Sequence, residues 1–254
     1  MRLLFQYILL FAYAAMYVAG LELMRYASKF WFVAPIVMLA ATFLLTWYLC
    51  KAKLGRRWLQ FFTGPTIFLL ASFLFAVFLS QPWFYHVFAV IVAAIFWIYF
   101  EQMLLYFYYP LKYYPYTLEN FAYYIGLLSF FFLMSGLYGF MVLLNFPTWP
   151  LVIAAGVGVF VINSEIFWNQ KIEWRKSRLF NLIISLITIE LFVGLGFLPS
   201  GYYVNAAILA FAYYLLIGIS KAELTGQMTR KNVLIHALIA GGCLLLLLFT
   251  AQWT

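Results

Sequence analysis

The chain has 254 residues, of which 68% are hydrophobic, 23% aromatic and only 9% charged, a composition that excludes a water-soluble domain. Fifteen lysines and arginines against seven glutamates and no aspartate give a formal charge of +8. The connections between apolar stretches are too short to build a basic nucleic-acid surface. The charge therefore reads as a topogenic signal and an attraction to anionic lipid headgroups, with no nucleic acid as partner.

A bilayer span needs roughly 20 predominantly apolar residues. Between the charged turns this predicts an all-α, polytopic transmembrane helix bundle, one domain over 1–254 with no soluble part. About nine helices are expected, near residues 3–21, 30–50, 58–80, 83–109, 119–144, 148–169, 179–198, 202–220 and 233–253. The first, in MRLLFQYILLFAYAAMYVAG, has the basic start and small residues of a signal peptide. Its apolar stretch is long for one, so an uncleaved anchor is expected; cleavage would leave eight helices.

Orientation follows from lysine and arginine, which are retained on the cytoplasmic side. If nine helices alternate, Arg2, Lys51, Lys53, Arg56, Arg57, Lys112, Lys171, Arg175, Lys176, Arg178, Lys221, Arg230 and Lys231 share one side, and Arg25 and Lys29 the other. The amino terminus is expected in the cytoplasm and the carboxyl terminus outside. Cys50 and Cys243 then differ in depth, and no disulfide is expected.

The fourth stretch ends in YFYYPLKYYPYTLENFAYY, residues 106–124, with eight tyrosines around Pro110 and Pro115. Tyrosine is amphipathic, so the plain reading is an aromatic belt at headgroup level, with Thr117 capping the next helix and Glu119 at its positive end. The alternative is a shallow platform for a lipid headgroup or sugar, contacted by Glu101, Lys112, Glu119 and Asn120.

Stretch 148–169 carries Asn163, Ser164, Glu165 and Asn169 in VINSEIFWNQ, with Glu165 and Asn169 sharing a face at i, i+4. Water or Lys171 and Arg175 can satisfy Glu165 near the helix end, and residues 171–178 form a short basic loop. That short loop, with Lys171, Arg175, Lys176 and Arg178, is a candidate site for anionic headgroups.

Glu190 sits close to the middle of NLIISLITIELFVGLGFLPSG, residues 181–201. Ionisable side chains inside a span almost always face the protein interior. Glu190 is therefore expected to point inward beside Ile183, Leu186 and Gly194 as a protonatable group, with no cation at its depth. Neutral partners are offered by Tyr213 and Tyr214 on the next stretch, and by Ser129, Ser72, Thr42 and Cys243. His86 and His236 lie in the fourth and ninth stretches near opposite faces of the membrane and share no metal-ligand spacing. No Walker loop, GxSxG elbow, HExxH or CxxC is present, and no metal or cofactor is expected.

Two segments, YYPLKYYPYTLEN and GFLPSGYYVNAAILAFAYYLL, resemble parts of uncharacterised polytopic membrane proteins of candidate phyla radiation (Patescibacteria) bacteria. The resemblance implies a bacterial cytoplasmic membrane and carries no activity to any residue. Charged loops at Lys51 and Lys171 and prolines at Pro82 and Pro199 recur at offsets of roughly 110 to 120 residues. One helix followed by two four-helix halves, 30–144 and 148–253, would give that spacing, although evenly spaced helices alternate turns anyway.

Three classes of function are open. A small-solute or proton-coupled carrier would use Glu190, with Glu165, along an internal path. An enzyme on a lipid-linked substrate would use the cytoplasmic rim of Glu101, Lys112, Glu119, Glu165 and the basic loop. A scaffold or assembly subunit would bind other membrane proteins through apolar faces and small residues such as Ala154, Gly158, Ala237 and Gly241. The carrier is the first expectation.

Overall fold

The computed structural model describes residues 2–26, 32–54 and 58–250; of residues 2–3 and 51–54 only the backbone is described. Lys29, Arg56, Arg57 and Thr254 lie outside the described residues, as do the side chains of Arg2, Lys51 and Lys53. The described residues form an all-α chain: α1 (Arg2–Tyr26), α2 (Val33–Leu54), α3 (Trp58–Ala76), α4 (Pro82–Tyr108), α5 (Thr117–Leu143), α6 (Thr148–Asn169), α7 (Trp174–Leu195), α8 (Tyr202–Leu224) and α9 (Arg230–Thr250). All nine are long and apolar enough to cross a membrane.

Local chemistry sets several of the ends. Pro82 opens α4, where its missing N–H has no intrahelical partner to lose. The α8 end is closed by Gly226 at φ +69°, with Gln227 N–H donating to the Ala222 carbonyl and Gly226 N–H to that of Glu223. The α6 end is closed in the same way around Lys171, at φ +59°: Ile172 N–H reaches the Phe167 carbonyl and Lys171 N–H that of Trp168. A lysine thus occupies a left-handed position that glycine usually fills.

Several ends differ from the sequence reading: α1 and α8 run on to Tyr26 and Leu224, and α3 stops at Ala76. Helix α7 begins at Trp174, with the Lys176 and Ser177 N–H groups already donating to the Glu173 carbonyl. Arg175, Lys176 and Arg178 are therefore helical, and the loop shrinks to residues 170–173. Thr117 does not cap α5, because its hydroxyl donates to the Tyr114 carbonyl. The Leu118 N–H is taken by the Tyr113 phenol instead, at 2.9 Å.

The chain divides into two compact units, Met1–Ile125 and Gly126–Thr254, the boundary falling inside α5. In the first, α1 lies against both α2 and α4, and α2 packs on α3. Residues Leu10, Tyr13, Tyr17 and Leu21 form the buried stripe of α1, at steps of three and four. Buried tyrosines join the helices by polar tips: Tyr13 O–H of α1 meets Thr42 Oγ1 at 2.7 Å, Tyr17 O–H of α1 donates to Ser72 Oγ at 2.7 Å, and Tyr85 O–H of α4 to the Leu21 carbonyl at 2.6 Å. Phe96 and Phe100 pack edge-on or tilted around them.

In the second unit α6, α7, α8 and α9 pack each on the next. The second half of α5 reaches three of them. Phe130 stacks on Tyr213 of α8 with ring centroids 3.9 Å apart, Tyr138 O–H donates to the Phe192 carbonyl of α7, and Leu133 lies where a side chain at Gly158 of α6 would sit. Helix α9 is the outlier, with Ala240 its one buried residue among those described.

Candidate functional site

The polar groups inside the second unit form a row. Tyr213 O–H donates to Asn163 Oδ1 at 2.7 Å; Asn163 Nδ2 donates to Ser185 Oγ at 3.5 Å; Ser185 O–H donates to Asn181 Oδ1 at 3.4 Å. Asn181 Nδ2 then donates to Ser164 Oγ at 2.8 Å and to the Phe160 carbonyl at 3.1 Å, and Ser164 O–H also ends on Phe160. Tyr213, Asn163 and Asn181 are 1%, 0% and 0% exposed, so this row is the polar core of α6, α7 and α8. Its members are used up on one another, as burial of polar groups demands.

The row does not suit proton transfer. Relays run through carboxyl, imidazole, hydroxyl or water groups. An amide accepts a proton on oxygen and releases one from nitrogen only by passing through its imidic-acid tautomer, so Asn163 and Asn181 interrupt the row twice.

Glu190 stands elsewhere. The buried face of α7 is Ser177, Asn181, Ile184, Ser185, Thr188 and Phe192, whereas Ile183, Leu186, Glu190 and Gly194 are all exposed. The expectation of an inward Glu190 is thus overturned, and no glutamate among the described residues is buried. The reason is angular. Glu190 lies nine residues beyond Asn181, about 900° of helix or half a turn out of phase, so the two cannot both face inward. Turning α7 over would orphan Asn163, Asn181 and Tyr213 at about 1–3 kcal/mol each. An ionisable residue at the centre of a span costs about 2.5–3.5 kcal/mol on the insertion scale. The row wins.

The neutral groups expected to partner Glu190 are engaged elsewhere. Tyr213 serves Asn163, Ser72 serves Tyr17 and Thr42 serves Tyr13. The Tyr214 hydroxyl lies 2.9 Å from His236 Nδ1, where the absence of a side chain at Gly218 leaves room for the imidazole ring. Glu165 does pair with Asn169 as its spacing implies, accepting from Nδ2 at 3.0 Å. Lys171, Arg175, Lys176 and Arg178 are all exposed, with Lys176 Nζ 3.7 Å from Glu173.

In the first unit each of the two rim carboxylates is held by a tyrosine, Glu101 by Tyr7 of α1 and Glu119 by Tyr113 of the tyrosine-rich segment. Glu101 accepts from Tyr7 O–H at 3.0 Å, and Tyr109 O–H donates to Gln6 Oε1 at 3.2 Å. Glu119 accepts from Tyr113 O–H at 2.9 Å. Burial pushes the Tyr113 phenol up to about 12; the Leu118 N–H opposes this and the Glu119 carboxylate adds to it. It therefore stays a donor to Glu119 throughout the physiological range. Lys112 and Asn120 are exposed.

One cluster has no counterpart in the sequence reading. Glu22 Oε1 lies 2.6 Å from His86 Nδ1, while Arg25 Nη1 is 3.2 Å from His86 Nε2 and its guanidinium 5.4 Å from the Tyr85 ring centre. This ties the end of α1 to the start of α4. Glu22 and Arg25 are three apart on one helical face, but only the antiparallel pairing of α1 with α4 brings His86 to them. The polar row carried a clearer sequence signal: Asn181, Ser185 and Thr188 follow i, i+4, i+7.

A double-mutant cycle tests the row. Asn163→Leu should cost about 2–3 kcal/mol, since it leaves the Tyr213 and Ser185 hydroxyls without their partner. Tyr213→Phe added to it should cost less than it does alone, by at least about 0.5 kcal/mol of coupling. Glu190→Leu should change fold stability by no more than about 0.5 kcal/mol. Reversible unfolding in mixed micelles measures all three.

No protein-family model, curated protein or solved structure matches the chain. Its class rests on its own physics: it is an integral, multi-pass membrane protein.

Proposed function

We propose that the protein is an assembly subunit, which works through the lateral faces of its helices by binding other membrane-embedded chains. The reading rests on one feature: the Glu190 carboxyl, on an exposed face of α7, has no hydrogen bond or ion pair with any described residue. It lies 12 residues beyond Arg178, about 18 Å at 1.5 Å per residue, and about 8 Å before the end of the helix. That is inside a ~30 Å hydrocarbon core. A carboxyl facing lipid tails there is costly, and a neighbouring helix that accepts or shares its hydrogen bond removes the cost. Internal transport has weaker support, because the polar row of α6, α7 and α8 is spent on its own hydrogen bonds and interrupted twice by amides. An enzyme of the interfacial rim has weaker support too, since Glu101 and Glu119 are each held by a separate tyrosine.

The charge asymmetry favours an amino terminus in the cytoplasm, and the bacterial setting rests on the resemblance of the two segments alone. Single cysteines in 110–118, 171–178 and 221–231 should then be protected from an impermeant thiol reagent in intact cells. Positions beside Pro82, Pro147 and Pro199 should react. The reverse pattern refutes the orientation.

The assembly reading is tested by excising the protein from its membrane in native-lipid discs and weighing the protein content. A mass above that of one chain is expected. A single chain per disc at native abundance would refute it.

A further inference from the structure

The exposed face of α7 has a regular form. Leu179, Ile183, Leu186, Glu190 and Gly194 follow one another at steps of four, three, four and four, and all five are exposed. Leu179 and Leu186 are 61% and 59% open. Such steps make a straight seam for a second helix crossing at a shallow angle, about 20°. A side chain added at Gly194 would meet no atom within 4 Å, so a neighbouring backbone can approach closely there, one turn from Glu190.

The partner for a polar group in this seam must offer a complementary group at the same depth. The described basic residues of the second unit, Lys171, Arg175, Lys176, Arg178, Lys221, Arg230 and Lys231, all gather where α6 and α8 end and α7 and α9 begin. Glu190 lies in the opposite half of α7, so no cation of this unit reaches it. Copies of one protein enter a membrane in one orientation, so a two-fold axis relating them runs along the membrane normal. Two α7 helices then lie parallel, and each residue near the axis faces its own counterpart at equal depth. For a carboxyl this is a matched pair. A carboxylic acid has one O–H donor and one C=O acceptor, so two of them in contact satisfy each other.

Resting on the assembly reading, we propose that α7 is the seam of a two-fold homodimer, with Glu190 of each copy hydrogen-bonded to Glu190 of the other. The carboxyl sets the register, as a single polar residue does in an apolar helix seam, and Leu186 and Gly194 supply the contact on either side.

The test uses the full chain in lipid vesicles at graded protein-to-lipid ratios, with the monomer–dimer balance read by single-molecule photobleaching. The wild type should dimerise. Glu190→Gln, whose amide retains a donor and an acceptor, should dimerise comparably, and Glu190→Leu should weaken the dimer about tenfold or more. Leu186→Cys should cross-link between copies, while Ile153→Cys, on an exposed face of α6, should not. Thermal unfolding of Glu190→Leu checks that the fold survives. Equal dimerisation of Glu190→Leu, cross-linking through Ile153→Cys alone, or a wild type that remains monomeric would overturn the proposal. A monomer in vesicles whose native-lipid discs contain other chains removes the homodimer and leaves the assembly reading standing. A single chain in those discs removes both.

Discussion

A transmembrane helix has one inward face, and on α7 two sets of polar side chains compete for it. Asn181 and Ser185 complete a row that begins at Tyr213 and ends on the Phe160 carbonyl, and each amide of that row has groups that hydrocarbon cannot satisfy. Glu190 is a single group half a turn away. Several orphaned amides and hydroxyls cost more than one misplaced carboxyl, so the helix settles with the row inside. The phase of α7 fixes what the second unit buries and which groups it shows to its surroundings.

The same demand shapes the first unit by other means. There the buried donors are mostly tyrosines, whose rings fill the space between α1, α2, α3 and α4 while their hydroxyls reach Thr42, Ser72 and the Leu21 carbonyl. An aromatic body with a polar tip supplies area and a directed hydrogen bond in one side chain. Serine and threonine receive these bonds and hand their own protons to carbonyls of their own helix, as Thr42 does to Met38 and Ser72 to Leu69. Both units thus spend most of their buried polar groups on internal hydrogen bonds, Thr46 Oγ1 in the first and Ser135 Oγ in the second being buried without a partner among the described residues.

The nine spans were legible because length and apolar content alone define a membrane helix, and most boundaries fall within a few residues of those read from the charges. The start of α7 was not, since Arg175, Lys176 and Arg178 look like a loop by charge while their backbone already follows the helical hydrogen bonds of Glu173. Glu165 with Asn169 was legible because a single helix contains the pair. Glu190 misled for the opposite reason: the rule that intramembrane charges face inward treats one residue at a time, whereas orientation belongs to the whole helix. The stripe of Asn181, Ser185 and Thr188 carried the phase. The link from Glu22 and Arg25 to His86 depended on which helix packs against α1, which no local pattern reveals.

The proposed role rests on the polar row facing inward and Glu190 facing outward, so the phase of α7 is the point to measure. Nitroxide labels placed singly from residue 181 to 194, at high lipid dilution, report collision with oxygen dissolved in the hydrocarbon. The account predicts high oxygen access at 183, 186, 190 and 194 and low access at 181, 184, 185, 188 and 192, with the helical period of about 3.6 residues. The opposite phase, with 190 shielded and 181, 185 and 188 open to lipid, would contradict it.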